Sequence, residues 1–232
     1  MAQGNEQAPR SAGGGKGAAA KLVAVWIFLP LFYFVTGGSL AWWEAWAYCA
    51  VLLVPMTAFL VYMVKRDPEF LARRLKLKEK ERAQRRLLSL AYPVYVAAFV
   101  LPGLDRRFGW STVPVAVEAV GLALALAGYL AILRVFLENR WAGRTVETFE
   151  EQQVISTGPY AIVRHPMYTG TLALYLATPL ALGSWWALLP TLALIPTFVY
   201  RIRNEEEVLL RELPGYEEYR QKVRSRLLPH IW

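Results

Sequence analysis

Apolar positions gather into five runs, at 22–36, 45–64, 88–104, 113–133 and 171–200, with Lys and Arg crowded between them. A hydrocarbon core of ~30 Å takes ~20 apolar residues per helix, so each of the first four runs predicts one spanning helix, the shortest by tilting or thinning the bilayer. The fifth run carries 30 residues without a charge, broken by Pro179, Gly183-Ser184, Pro190 and Pro196. Such punctuation predicts a helical hairpin turning at Gly183-Ser184. The expected fold is therefore an all-α polytopic membrane bundle of about six segments, the last two paired as a hairpin. It divides into an unstructured stretch 1–20, four spans over 21–133 with a basic loop at 65–88, and a C-terminal catalytic region over 134–232.

Composition explains how such a chain exists at all: 56% of its 232 residues are hydrophobic, yet its formal net charge is +8. Lys65 to Arg86 holds ten Lys and Arg against four acids, and positive loops stay in the cytoplasm. Both termini are then expected in the cytoplasm, with the 37–44 and 105–112 loops and the hairpin turn outside. Trp42, Trp43, Trp46, Trp110, Trp185 and Trp186 all fall at those outer ends, where indoles favour the headgroup layer. An integral protein of the cell (inner) membrane is implied, with the bilayer itself as a partner and no nucleic acid. The first twenty residues are small and polar, with no apolar face to bury, and the run after Lys21 lacks a signal-peptide cleavage pattern. The basic 68–86 segment carries Phe70, Leu71, Leu75 and Leu77 and reads equally as an interfacial helix or as a solvated connector. Cys49 is the lone cysteine, so neither a disulfide nor a thiolate metal site is expected.

Chemistry concentrates where polarity meets the last apolar run. Glu138 to Glu147 is too polar for the membrane interior and reads as a cytoplasmic flap. It is followed by Gln152-Gln153-Val154-Ile155 and then by Thr157-Gly158-Pro159-Tyr160 and Arg164-His165-Pro166-Met167-Tyr168. A residue before proline is pushed out of the helical region and Pro is well tolerated at a first helical position. A helix starting at Pro166 would aim its free N–H groups at an anionic guest beside His165. As a bland alternative, His165 caps that helix and the tyrosines belong to the interfacial belt. After the hairpin comes Tyr200-Arg201-Ile202-Arg203-Asn204-Glu205-Glu206-Glu207. Arg203 and Glu207, four apart, share a helix face, and hairpin geometry returns them to the edge where His165 lies. Tyr216, Tyr219 and the basic tail beyond read as either a lid or a surface anchor.

Gly158-Pro159-Tyr160, Arg164-His165-Pro166 with Tyr168 and Gly170, the Arg203 to Glu207 segment and the tail tyrosines together resemble the isoprenylcysteine carboxyl methyltransferase family, in a prokaryotic form. That family is related to phospholipid N-methyltransferases. The resemblance covers roughly 134–232. It implies an S-adenosylmethionine-dependent methyltransferase whose cofactor is held by Gln152, Gln153, Val154, Ile155, Tyr160, His165, Pro166, Met167, Tyr168 and Glu207, with Arg203 facing a lipophilic acceptor. A carboxylate acceptor needs no base, so Arg203 would suffice as a clamp. An amine acceptor would draft Glu206 or Glu207 to remove a proton, and a thiol acceptor stays open. No metal is implied. From other classes, an NADPH-dependent membrane reductase would need cations for the 2′-phosphate, against which the Glu-rich run argues. A purely structural membrane protein would leave two converging polar motifs to coincidence.

Overall fold

The computed structural model of the chain describes residues 13–67, 82–142 and 152–232. Among the described residues every regular element is helical. Helices α1 (Gly13–Gly37), α2 (Trp43–Arg66), α3 (Arg82–Phe108) and α4 (Val115–Glu138) fall on the first four apolar runs, and these four are long and apolar enough to cross a membrane. A 3-10 turn, Gly158–Ala161, leads into α5 (Pro166–Ala181), α6 (Leu188–Ala193), α7 (Ile195–Glu212) and α8 (Tyr216–Lys222).

The last apolar run goes up as one helix and comes back as two. Pro196 occupies the first turn of α7, where its missing N–H costs nothing, and so starts a new helix where α6 has ended. Between α5 and α6 the chain turns on Gly183, whose φ of 73° only glycine adopts without strain. Ser184 N donates back to Pro179 O at 2.8 Å and closes the turn.

Two expectations fail in this region of the structure. Helix α1 already begins at Gly13, inside the stretch expected to be unstructured. Ala18 to Ala20 are the strongest helix formers, and the span that follows spares them the cost of nucleation. Trp42 does not join the aromatic belt, for it is fully buried. Its ring packs edge-on against Tyr33, which in turn meets Tyr48, while Trp43, Trp46, Trp110, Trp185 and Trp186 remain exposed. Residues 1–12, most of the basic 65–88 loop and residues 143–151 of the flap lie outside the described residues.

Helix α5, which carries the His165-Pro166 motif at its start, is fixed by its packing on α4. A Cβ on Gly128 would lie 2.8 Å from the Gly170 carbonyl oxygen, and one on Gly170 would lie 2.7 Å from that of Gly128. Gly121 approaches Ala181 N as closely, at 2.5 Å from where its Cβ would stand. Small residues let membrane helices bring their backbones together, which is where such helices gain their dispersion energy. Tyr48 of α2 adds a hydrogen bond to Thr178 of α5, O···O 2.6 Å. At the turn end of α5, Asp105 accepts from Ser111 Oγ (2.6 Å) and from Ser184 Oγ, joining the α3–α4 and α5–α6 connections. The opposite end of α5 is where the chemistry collects.

Candidate functional site

At that opposite end, Arg164 and His165 precede α5 with no room for a helical residue before Pro166. His165 has φ −122° and ψ 59°, and Pro166 opens the helix. The His165 side chain makes no capping bond, so the bland reading of it as a helix cap does not hold. Its ring instead turns to α7, where Nε2 meets Glu206 Oε1 at 3.2 Å.

Glu206 is the hub of a buried ionic cluster. Arg164 Nε donates to Oε1 at 2.7 Å and Arg226 Nε to Oε2 at 2.8 Å. Burial by itself would raise the Glu206 carboxyl, but the hydrogen bonds from His165, Arg164 and Arg226 outweigh it and hold the group down to about 2. Arg164 also donates through Nη1 to the carbonyls of Val223 and Arg224, at 2.7 and 2.8 Å. Backbone bonds Arg164 N to Ser225 O and His165 N to Arg226 O, both 2.9 Å, complete the seam. The segment after α8 is thus laid along the start of α5 like a strap.

Beside the cluster opens a cleft of about 800 Å³, solvent included. Gln152, Gln153, Val154, Ile155, Tyr160, His165, Pro166, Met167 and Tyr168 all line it. Nine of the residues named from the sequence therefore share one wall system. Arg203 and Glu207 do not: both are exposed on the other side of α7, and neither lines the cleft. Glu205, two residues before Glu207, lines it instead, and Arg201, two before Arg203, is joined to it through Tyr168. Tyr168 OH donates to Glu205 Oε2 and accepts from Arg201 Nε, each at 2.8 Å. The correction follows from helical phase. Phe198, Ile202, Glu206 and Val208 are the buried positions of α7, and at 100° per residue Glu205 and Leu209 fall on the Phe198–Ile202 side while Arg203 and Glu207 rotate out. That apolar stripe was the available signal, and spacing between charged residues alone could not reveal it. Glu206, expected as a base for an amine acceptor, has both its oxygens accepting from cations.

Sequence reading also missed Asn139, Arg164, Arg226 and the position of Tyr216. Asn139 Nδ2 donates to Tyr160 OH at 3.0 Å, and Tyr219 OH donates to the Tyr160 carbonyl at 2.8 Å. Burial pushes the Tyr160 phenol up to about 12, despite the Asn139 bond. Tyr216 is 4% exposed and lines the cleft, and its hydroxyl has no partner among the described residues. Burial and the negative charge of Glu206 push that phenol well up, so it stays a protonated donor. A buried donor left unpaired costs about 1–3 kcal/mol, which a polar ligand would recover.

Comparison with known proteins shows what this region is similar to. Residues 117–215 match the phospholipid methyltransferase family. Over 78 residues the chain is also 38% identical to the Protein-S-isoprenylcysteine O-methyltransferase of Schizosaccharomyces pombe, a stretch that is 33% of this chain and 33% of that protein. The chain thus matches about a third of the length of this curated relative. The resemblance drawn from the motifs between Gly158 and Tyr219 is borne out at the level of the family, and the family region spans α4 through Gly215, bringing together both halves of the glycine seam and most of the cleft.

Proposed function

We propose that the chain is an integral membrane methyltransferase that uses S-adenosylmethionine and methylates a lipophilic acceptor at the edge of the bilayer. The observation that carries this reading is the convergence of Gln152 to Ile155, Tyr160 and His165 to Tyr168 on one cleft with an unpaired Tyr216 hydroxyl and the Glu205 carboxylate. These groups fit the cofactor by chemistry. Glu205 and the Gln152 and Gln153 amides suit an ammonium and ribose hydroxyls, and Val154, Ile155, Met167 and Leu209 suit an apolar ring face. When bound, the sulfonium supplies an already activated methyl group. The protein has then to align the acceptor and keep water out.

Arg201 is the residue for the acceptor. Its guanidinium is joined to the cleft through Tyr168 OH, and an acidic acceptor head placed there meets a cation without needing a base. A carboxylate acceptor is the reading this cation favours, and the Schizosaccharomyces pombe relative is named as an O-methyltransferase. An amine acceptor would need a carboxylate to take its proton; Glu206 is occupied on both oxygens, which leaves Glu205 as the acid in the cleft for that alternative. The bundle is read as six segments, with α5 and α6–α7 as the final hairpin and both termini on the cytoplasmic face of the cell membrane.

The test has two stages. Calorimetry on the purified protein in detergent should give binding of S-adenosylmethionine, weakened by roughly 1.5–3 kcal/mol in Glu205→Ala, the scale of a charged hydrogen bond. Product mass spectrometry with labelled cofactor and a membrane lipid extract should then find label in a lipophilic acid. Absence of binding to the wild-type protein would reject the reading outright; label appearing in amines instead would reject the carboxylate acceptor alone.

A further inference from the structure

Glu206 does not itself line the cleft, yet it holds two residues that do, Arg164 and His165. Its carboxylate accepts from Arg164 and Arg226 on both oxygens and still lies 3.2 Å from His165 Nε2. An ionised carboxylate has no proton to give. The hydrogen at that contact must therefore sit on the histidine, which fixes Nε2 as the protonated nitrogen. We propose that Glu206 is a positioning residue that holds His165 in its neutral Nε2–H form, leaving Nδ1 as a hydrogen-bond acceptor for an ammonium or other donor bound in the cleft, and that the 223–232 strap holds Glu206 in place. This rests on the reading of the cleft as the cofactor site and assigns His165 a partner there. The guest's cationic amino group, rather than its carboxylate, belongs at His165.

The strap's part is visible in its bonds. Arg226 reaches Glu206 from a backbone that is itself tied down, its N–H donating to Trp232 O at 2.7 Å and its guanidinium lying 5.2 Å from the Trp232 ring centre. Thr169 Oγ1 donates to Leu227 O at 2.8 Å, one turn into α5. The charged groups around His165 are Arg164 beside it, Glu206 from α7 and Arg226 from the strap, with Glu205 of α7 held on the neighbouring Tyr168; both oxygens of Glu206 already accept from guanidiniums.

With two histidines in the chain, ¹⁵N-histidine labelling can read the protonation of His165 directly, using His230→Gln to assign it. In the wild-type protein without ligand at neutral pH, Nε2 should carry the proton and Nδ1 should be bare. A proton on Nδ1, or on both nitrogens, would overturn the proposal without any variant having to fold. Glu206→Gln should lose the preference between the two tautomers and bind S-adenosylmethionine at least about 10-fold more weakly, the loss expected for a charged hydrogen bond. Removing Glu206 leaves the buried Arg164 unpaired, so Arg226→Gln, at a half-exposed position, is the gentler variant. It should keep the Nε2–H form and lose affinity only a few-fold. A Glu206→Gln protein that folds, binds normally and keeps the tautomer would also overturn the proposal. A wild-type protein with the Nε2–H form but no cofactor binding would instead reject the methyltransferase reading and leave the His165–Glu206 geometry standing.

Discussion

Two ends of the bundle are buried and polar, and they differ in what they leave open. At the turn end, Asp105 ties Ser111 to Ser184, and Glu44 and Glu118, from the first turns of α2 and α4, hydrogen-bond each other. No described cleft opens there, and the partners are short side chains in turns. At the other end Glu206 is ringed by Arg164, His165 and Arg226, and next to it lie a cleft, an acid–tyrosine–arginine chain and an orphaned phenol. Buried polar groups are therefore no mark of function by themselves, since membrane helices also use them as fasteners. What separates the ends is concavity: buried oxygens of Glu44, Asp105 and Glu118 also lack partners among the described residues at the turn end, whereas at the other end such a group, the Tyr216 hydroxyl, faces a cleft.

The separation breaks first at Arg201. Arg201→Ala should lower methyl transfer about 100-fold or more, the cost of losing a positioned electrostatic contact, while affinity for S-adenosylmethionine changes far less. Arg201→Lys should recover only part, lacking the planar fork. If Arg203→Ala instead produced this loss and Arg201→Ala did not, the phase assigned to α7 would be wrong. At the other end, Asp105→Ala should destabilise the fold by about 2 kcal/mol, since it removes two hydrogen bonds to a buried acid. Thermal unfolding in detergent would show it, and cofactor affinity of the folded protein should be unchanged. An equal loss of affinity would mean that the two ends are coupled.

Acid should act through the cleft end. Because folding depresses the Glu206 carboxyl to about 2, its contribution to stability is complete above the ordinary carboxylate range near pH 4.5 and is lost as pH falls from there towards 2. The unfolding midpoint of the wild-type protein should drop over that window, and Arg226→Gln, with one bond fewer to Glu206, should drop less. The smallest effect should come from Tyr216→Phe. With no partner for the hydroxyl among the described residues, stability should hold or rise slightly, while cofactor affinity falls by about 0.5–1.5 kcal/mol, a neutral hydrogen bond's worth. Unchanged affinity would remove Tyr216 from the ligand's contacts.

Much of the cleft could be read from the chain, because its wall comes from a short stretch. Gln152 to Tyr168 is nearly contiguous, and the proline rule at His165-Pro166 specifies where α5 begins. The α7 side could not be read in the same way. A helix offers charged residues at Arg201, Arg203, Glu205, Glu206 and Glu207, and which of them faces the cleft depends on how Phe198 and Ile202 seat against neighbouring helices. The strap was harder still. Arg226 lies 20 residues from Glu206, and no local pattern couples them.

The sequence by itself determined the helical membrane class, the four long apolar spans, the turn at Gly183 and the polar motif at the head of α5. Each follows from local physics: desolvation of the backbone in lipid, fixed proline and glycine dihedrals, and the length of a span. Tertiary structure alone decided that Trp42 is core rather than belt, that Glu205 lines the cleft while Arg203 and Glu207 do not, with Arg201 joined to it through Tyr168, and that Glu206 is a buried hub. Those outcomes depend on rotational phase and on contacts between distant segments, and a residue's own neighbours in the chain do not carry that information.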